Sequence, residues 1–311
     1  MTQTQTPVST VATTTGGTTR RRFTWKRLLM LTIIALVFFV TLFPFYWMLR
    51  TALSNGKSLP SNPSSLLPAD FTLGAFKRVL GLSTVEQAQA EGGSGADINF
   101  WLYLRNSVIV SVVITAGQVF FCSMAAYAFA RMRFPGRDKI FALFLAALLV
   151  PGIFTMMPNF LLIKQLGLLN TLFGIILPFL FMTPFAIFFL RQFFLGINRE
   201  IEEAATIDGA GHFRIFWKIV LPMSSAPVFT LVILTYIGAW NDYFWPLIVA
   251  SDEKARVLTV ALGVFQSQTP QGAPDWPGLM AATLVAALPI IILFAIFGKK
   301  IVNNIQFSGI K

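Results

Sequence analysis

Cysteine and histidine are almost absent, with one of each, Cys122 and His212, in 311 residues. A disulfide framework needs paired cysteines and a zinc site needs several Cys or His ligands, so neither can be built here. Charge is scarce as well: 12% of residues are charged and 55% are apolar. Soluble domains hold about 25% charged and about 45–50% apolar residues, so the composition excludes an ordinary water-soluble globule. No Ser, His and Asp set presents itself for hydrolysis, and His212 has neither a second imidazole nor a paired carboxylate at ligand spacing. Cys122 lies in an apolar run and reads as a small inert hydrophobe. Gly56-Lys57-Ser58 is like the end of a phosphate-binding loop, but the glycine required five positions earlier is Thr51 and no strand precedes it. The chain itself is therefore not expected to hydrolyse nucleotide.

What the sequence has in abundance is long charge-free apolar runs. Six of them, at about 28–49, 106–130, 140–163, 165–190, 219–241 and 276–298, hold 22 to 26 residues each. At about 1.5 Å per residue each is long enough for the roughly 30 Å of bilayer hydrocarbon, where backbone groups must be satisfied inside the helix. The expected fold is an all-α membrane protein with six transmembrane helices. The run 257–274 is also uncharged, but it carries Gln266, Gln268, Gln271, Pro270 and Pro274 and is placed outside the bilayer. The first run is too long for a secretory leader and is followed by no small-residue cleavage site, so it reads as an anchor.

The positive-inside rule orients the helices. With both termini cytoplasmic, the inner segments hold 16 Lys and Arg against 8 outside, and 5 of the 13 acids lie inside, so the whole excess of +11 sits on one face. A nucleic-acid surface needs its basic residues gathered with stacking aromatics, whereas these form collars at helix ends. The organisation is then a cytoplasmic tail at 1–27, disordered where nine threonines crowd residues 1–19, a six-helix transmembrane domain at 28–298, and a cytoplasmic C-terminus at 299–311. The first external loop, 50–105, contains Leu73, Phe76, Val79 and Leu80 at helical spacing, and Glu91 to Gly95 reads as a flexible tip. Prolines 44, 151, 158, 178, 184, 227 and 289 within the runs predict kinks.

The inner segment 191–218 mixes both signs of charge with an apolar pattern. Asn198 can cap a helix carrying Glu200 and Glu202 in its first turn, Ile201, Ala204, Ala205 and Asp208 share a face, and Gly209 ends it. A second short helix is expected over 210–222. The run Glu203-Ala204-Ala205, then Gly209, Ile219, Leu221 and Pro222, resembles the EAA loop of bacterial ABC importer permeases, in residue type, spacing and position between the fourth and fifth spans. The stretches Phe43-Pro44-Phe45-Tyr46-Trp47-Met48, Ala125 to Arg131, Ile207-Asp208-Gly209-Ala210 and Trp240-Asn241-Asp242 are similar to the MalG-type branch that serves carbohydrates. The likeness covers about 25–311, with a shortened C-terminal end at Ser308 to Lys311 and a longer insertion at Glu86 to Asn99.

That resemblance implies a multi-pass permease subunit of the bacterial inner membrane, working by alternating access on a di- or oligosaccharide. Its partners are a second, MalF-like permease, two ATPase subunits that bind ATP and magnesium, and an extracytoplasmic sugar-binding protein; this chain binds no cofactor and its other surroundings are lipid. Glu203, Ala204, Ala205, Asp208, Gly209, Leu221 and Pro222 are the expected ATPase-coupling residues. Trp240, Asn241 and Asp242 are candidates for the substrate pathway, with an interfacial aromatic belt as the other reading of Trp240. Gln266, Gln268 and Gln271 are candidates for contact with the binding protein. The rival class is a self-contained secondary transporter or channel, which commonly carries ionisable residues within its spans. The six runs contain none.

Overall fold

The computed structural model describes residues 25–93, 99–267 and 274–307, and every regular element among them is helical. The N-terminal tail up to residue 24, Ser94 and Gly95 of the expected tip, Gln268, Gln271 and the end Ser308 to Lys311 lie outside the described residues. The chain divides into two units, one ending at Trp47 and one beginning at Met48. The first contains most of α1 (Trp25–Ala52), whose most apolar window has no buried residue.

The second unit is built around α4 (Phe100–Arg131), a 32-residue helix. It is preceded by two short helices, α2 (Gly74–Val79) and α3 (Val85–Ala90). After it come α5 (Arg137–Ala147) and α6 (Gly152–Gln165), α7 (Leu172–Phe179) and α8 (Pro184–Leu195), α9 (Arg199–Ile207), α10 (His212–Met223) and α11 (Ser225–Asn241). The last are α12 (Phe244–Val249), α13 (Leu258–Ser267) and α14 (Trp276–Phe307).

Three helices, α1, α4 and α14, are long and apolar enough to cross a membrane unbroken. The other three expected spans are bent pairs: α5 and α6 meet at 100°, α7 and α8 at 47°, and α10 and α11 at 80°. Three to six crossings are thus available. The breaks follow proline chemistry. Pro151 precedes α6, Pro184 opens α8, and Pro227 falls in the first turn of α11, where a missing N–H costs no helical bond. Pro44, Pro158 and Pro289 lie inside continuous helices, so not every predicted kink is a break.

Broken helices expose backbone groups that lipid cannot satisfy. At the α7–α8 break and along the 254–258 segment, α4 supplies the partners from one polar face. Asn106 Nδ2 donates to the carbonyls of Lys254 and Arg256, both at 2.9 Å, and Ser107 Oγ accepts from Leu258 N at 2.8 Å. Gln118 Nε2 donates to Phe179 O at 2.8 Å, and Cys122 Sγ accepts from Thr183 N at 3.3 Å across the gap between α7 and α8. Cys122 is fully buried but is not merely an inert filler. Gly117 permits this approach, because a Cβ there would lie 2.4 Å from Leu180 O.

Two expectations are corrected near the first loop and after α12. The segment 53–93 is folded rather than a loose loop: Gly56 N donates to Glu91 O at 3.0 Å and Gly93 N to Ala88 O at 2.8 Å, so Glu91 to Gly93 are pinned. The run 251–275 contains α13, of 10 residues, with Leu258, Val260 and Ala261 buried. At about 15 Å that helix is too short to cross a bilayer, and its place outside the candidate spans stands.

Arg78 of α2 ties the folded first loop to the start of α14. Its Nη2 donates to Asp275 Oδ1 and Oδ2 at 3.0 and 3.1 Å, while Asp275 Oδ1 also accepts from Gly278 N. Both side chains are nearly buried, and Arg78 keeps Glu91 as a second carboxylate at 3.6 Å. Asp275→Ala should therefore cost about 2–3 kcal/mol, at the lower end for a broken buried pair. Thermal unfolding of the detergent-solubilised protein should show a clear drop for Asp275→Ala. The same change at exposed Asp138, paired only with its neighbour Arg137, should leave the melting temperature unmoved.

Candidate functional site

At the end of α4 lies the segment with the EAA pattern. Asn198 Oδ1 accepts from Glu200 N at 3.2 Å and starts α9. Its end is a Schellman turn: Gly209 N donates to Thr206 O at 3.0 Å and Ala210 N to Ala205 O at 2.9 Å. Gly209 has φ of +81°, which glycine adopts freely and other residues resist. The following α10 begins at His212, two residues later than expected, and contains a π-helical stretch over Phe216–Val220 before the bend at Ser224. Ile219, Leu221 and Pro222 consequently belong to this short helix. The expected fifth run, 219–241, thus straddles the bend, and its straight part, α11, begins at Ser225.

The coupling residues divide between two faces. Ala205 turns inward and packs, with Ala210 and Leu221, against the core formed by Phe194, Ile215, Phe216 and Val220. Glu203, Ala204, Asp208, Gly209 and Pro222 are exposed, so Ala205 does not share its environment with Ala204 and Asp208. Beside them Ile207 is 87% and Phe213 68% exposed, an unusual state for large apolar side chains. The result is an apolar surface fringed by the carboxylates of Glu203 and Asp208.

Glu202, rather than Glu203, holds α9 in place. Its Oε1 lies 2.8 Å from Arg131 Nε at the end of α4, and the two side chains are 13% and 5% exposed. Arg131 Nη2 also donates to Phe194 O at 2.7 Å and to Ile197 O, closing the end of α8. Burial pushes the Glu202 carboxyl above its ordinary range despite the opposing pull of Arg131, Arg199 and His212. At this carboxyl burial weighs more than the attraction, and the contact marks where α9 is attached to α4.

The pathway candidates at the far end of α11 are also separated. Trp240 is 4% exposed and stacks on Tyr236 at 5.8 Å, in a core with Ala52, Ala75, Val79 and Phe100. Its ring is thus available neither to a solute nor to a lipid interface. Asn241 is exposed and donates back to Ile237 O at 2.9 Å. Asp242 is half-buried and lines a cavity of about 300 Å³ together with Ile114, Gln118, Phe179, Thr235, Gly238 and Ala239. Burial raises its pKa, while the backbone N–H groups of Trp245 and Tyr243 pull it down. A second cavity, about 490 Å³ and almost wholly apolar, lies between α4, α10 and α11 and includes Val119, Phe120, Trp217 and Tyr236. Gln266 lies in α13, whereas Gln268 and Gln271 lie outside the described residues.

Sequence reading missed Arg131 as a clamp, Glu202 as its partner, and Gln118 and Thr235 as cavity residues. A signal was present for Gln118. Ser107, Ser111, Thr115, Gln118 and Cys122 recur every three or four positions through an apolar run, which puts them on one helix face.

An all-helical chain with several membrane-length segments, a polar inner seam and an exposed helix hung from one end is a membrane transport subunit. It belongs to the family of binding-protein-dependent transport system inner membrane components, whose pattern matches residues 118–306. The chain is similar to the arabinooligosaccharides transport system permease protein AraQ of Halalkalibacterium halodurans, 32% identical over 91% of this chain and 96% of that one. It is also similar to the trehalose/maltose transport system permease protein MalG of Thermococcus litoralis, 30% identical over 92% and 97%. Its fold matches a chain of the crystal structure of a bacterial ABC transporter involved in the import of the acidic polysaccharide alginate, with a TM-score of 0.74, 24% identity, and coverage of 88% of this chain and 95% of that one. The protein is therefore a non-catalytic, multi-pass permease of the inner membrane, in a transporter that depends on a binding protein and an ATPase.

Gly209 and Gly211 provide a matched pair for testing the turn. An added Cβ meets nothing within 4 Å at either, yet only Gly209 has a positive φ. Gly209→Ala should cost about 1 kcal/mol locally and tilt α10 against α9. Transport-linked ATP hydrolysis should fall several-fold for Gly209→Ala and stay near wild type for Gly211→Ala. Equal effects would remove the turn from the coupling path.

Proposed function

We propose that this chain is one membrane-spanning half of an ABC importer for a neutral di- or oligosaccharide. The bent pairs α5–α6 and α7–α8 each form one crossing and α11 forms the fifth, which gives six spans with both termini in the cytoplasm. The other half is a second permease, and two ATPase subunits and an extracytoplasmic sugar-binding protein complete the complex. ATP and magnesium act on the ATPases alone.

The single observation that carries the coupling is α9, exposed on its outer side and tethered to α4 through Glu202 and Arg131. A groove on each ATPase would receive Ala204, Ile207 and Phe213, while Glu203 meets a basic group at its edge. Closure of the ATPase dimer on ATP then draws α9 and α10 together, and α4 and α8 carry that motion to the other end of the bundle. ATP does this work only because it binds the closed dimer more tightly than the open one. The sugar assignment is supported by relatives whose names specify arabinooligosaccharides and trehalose or maltose.

Uptake decides the reading. Vesicles holding the full complex should import the sugar when binding protein and ATP are supplied, and vesicles holding this chain alone should import none. Uptake by the isolated chain would instead indicate a self-contained transporter. Topology is tested separately: a cysteine replacing exposed Glu86 should react with a membrane-impermeant thiol reagent added outside, and one replacing Asp208 should not. Native Cys122 is buried and should stay silent in both.

A further inference from the structure

The 300 Å³ cavity between α4, α7 and α11 gathers polar groups that the fold leaves available. Gln118 uses its amide nitrogen on Phe179 O, which leaves its carboxamide oxygen. Thr230, earlier on α11, returns its hydroxyl to Ala226 O at 3.1 Å, but Thr235 makes no such bond among the described contacts. Asp242 has no ion pair among the described residues, and two backbone N–H groups hold its carboxylate. The Phe179 ring packs nearly perpendicular to that of Trp245, with centroids 6.0 Å apart. Gly238 leaves the wall open, since an added Cβ there meets nothing within 4 Å.

An aromatic face, a carboxylate, an amide oxygen and a hydroxyl around one small space suit a particular solute. A pyranose or furanose ring offers a C–H face to an aromatic side chain and hydroxyls to acceptors at its edge. The volume is at the lower end for ligand sites, which fits one ring rather than a whole oligosaccharide. The carboxylate disfavours phosphorylated or uronic-acid solutes at the same position.

We infer that this subunit itself contacts the cargo, taking one neutral sugar ring between the face of Phe179 and the polar edge of Gln118, Thr235 and Asp242. The inference rests on the importer reading above and adds to it that the second permease does not hold the whole site.

The test uses the complete complex in vesicles with its binding protein and whichever of maltose, trehalose or arabinotriose best stimulates ATP hydrolysis. Thr235→Val should raise the half-saturating concentration about 3- to 10-fold and Asp242→Asn about 10-fold or more, as expected for a lost neutral and a lost charged hydrogen bond. Thr235→Ser, which keeps the hydroxyl, and Thr230→Val, outside the cavity, should stay within about twofold of wild type. D-glucuronate should compete better against the Asp242→Asn complex than against wild type, a change that a purely structural role would not produce. If Thr235→Val and Thr235→Ser have equal half-saturation, the subsite is overturned, and this comparison decides the matter even if Asp242→Asn fails to assemble. Absence of uptake of all three sugars by the wild-type complex would instead overturn the sugar-importer reading itself.

Discussion

The structure depends on supplying hydrogen bonds to broken backbone in an apolar setting. An unsatisfied peptide group in lipid costs several kcal/mol, and this chain interrupts three of its hydrophobic segments. The polar face of α4 meets that cost at the α7–α8 break through Gln118 and Cys122, and bonds other irregular backbone through Asn106 and Ser107 along 254–258 and Arg131 at the end of α8. Without these groups the bends would be expensive. With them, the bent segments can be held in a defined place, and a long straight helix acts as the common reference for the elements around it.

The same arrangement links the attachment of α9 to the middle of α4. Arg131 and Gln118 are 13 positions apart on α4, a separation of about 20 Å along the axis. Arg131 holds the ends of α8 and α9, and Gln118 holds the break that begins α8 while also lining the cavity. The movement proposed for α9 would act on a helix that also lines that cavity. Packed helices have discrete arrangements rather than continuous ones, so such a link favours switching between two states over gradual deformation.

Much of this was legible in the sequence, because it follows from local rules. Charge-free runs, the Asn198 cap, the Gly209 terminus and the helix around Phe76 each depend on residues close together in the chain. The sharpness of the bends in the third, fourth and fifth runs was not legible for a physical reason: hydropathy measures composition, which is the same for a straight helix and for two pieces at an angle. Proline position narrowed the choice without settling it, since Pro158 is absorbed within α6 while Pro151 begins it. Trp240 was misleading in a similar way. Its neighbours in sequence are polar, but its neighbours in space come from α1, α2, α4 and α13, and they bury it.

The ion pair between Arg131 and Glu202 fixes the position of α9, the element proposed to couple to the ATPase. A strongly stabilising contact would make α9 a rigid extension of the bundle. Here burial raises the Glu202 carboxyl, so attraction to Arg131 does not fully offset the loss of water. Arg131 nevertheless keeps its bonds to Phe194 and Ile197 carbonyls, so its own position does not depend on Glu202. The tether thus fixes where α9 attaches. An element that must be moved by an external partner, and must return, is well served by a contact of that kind.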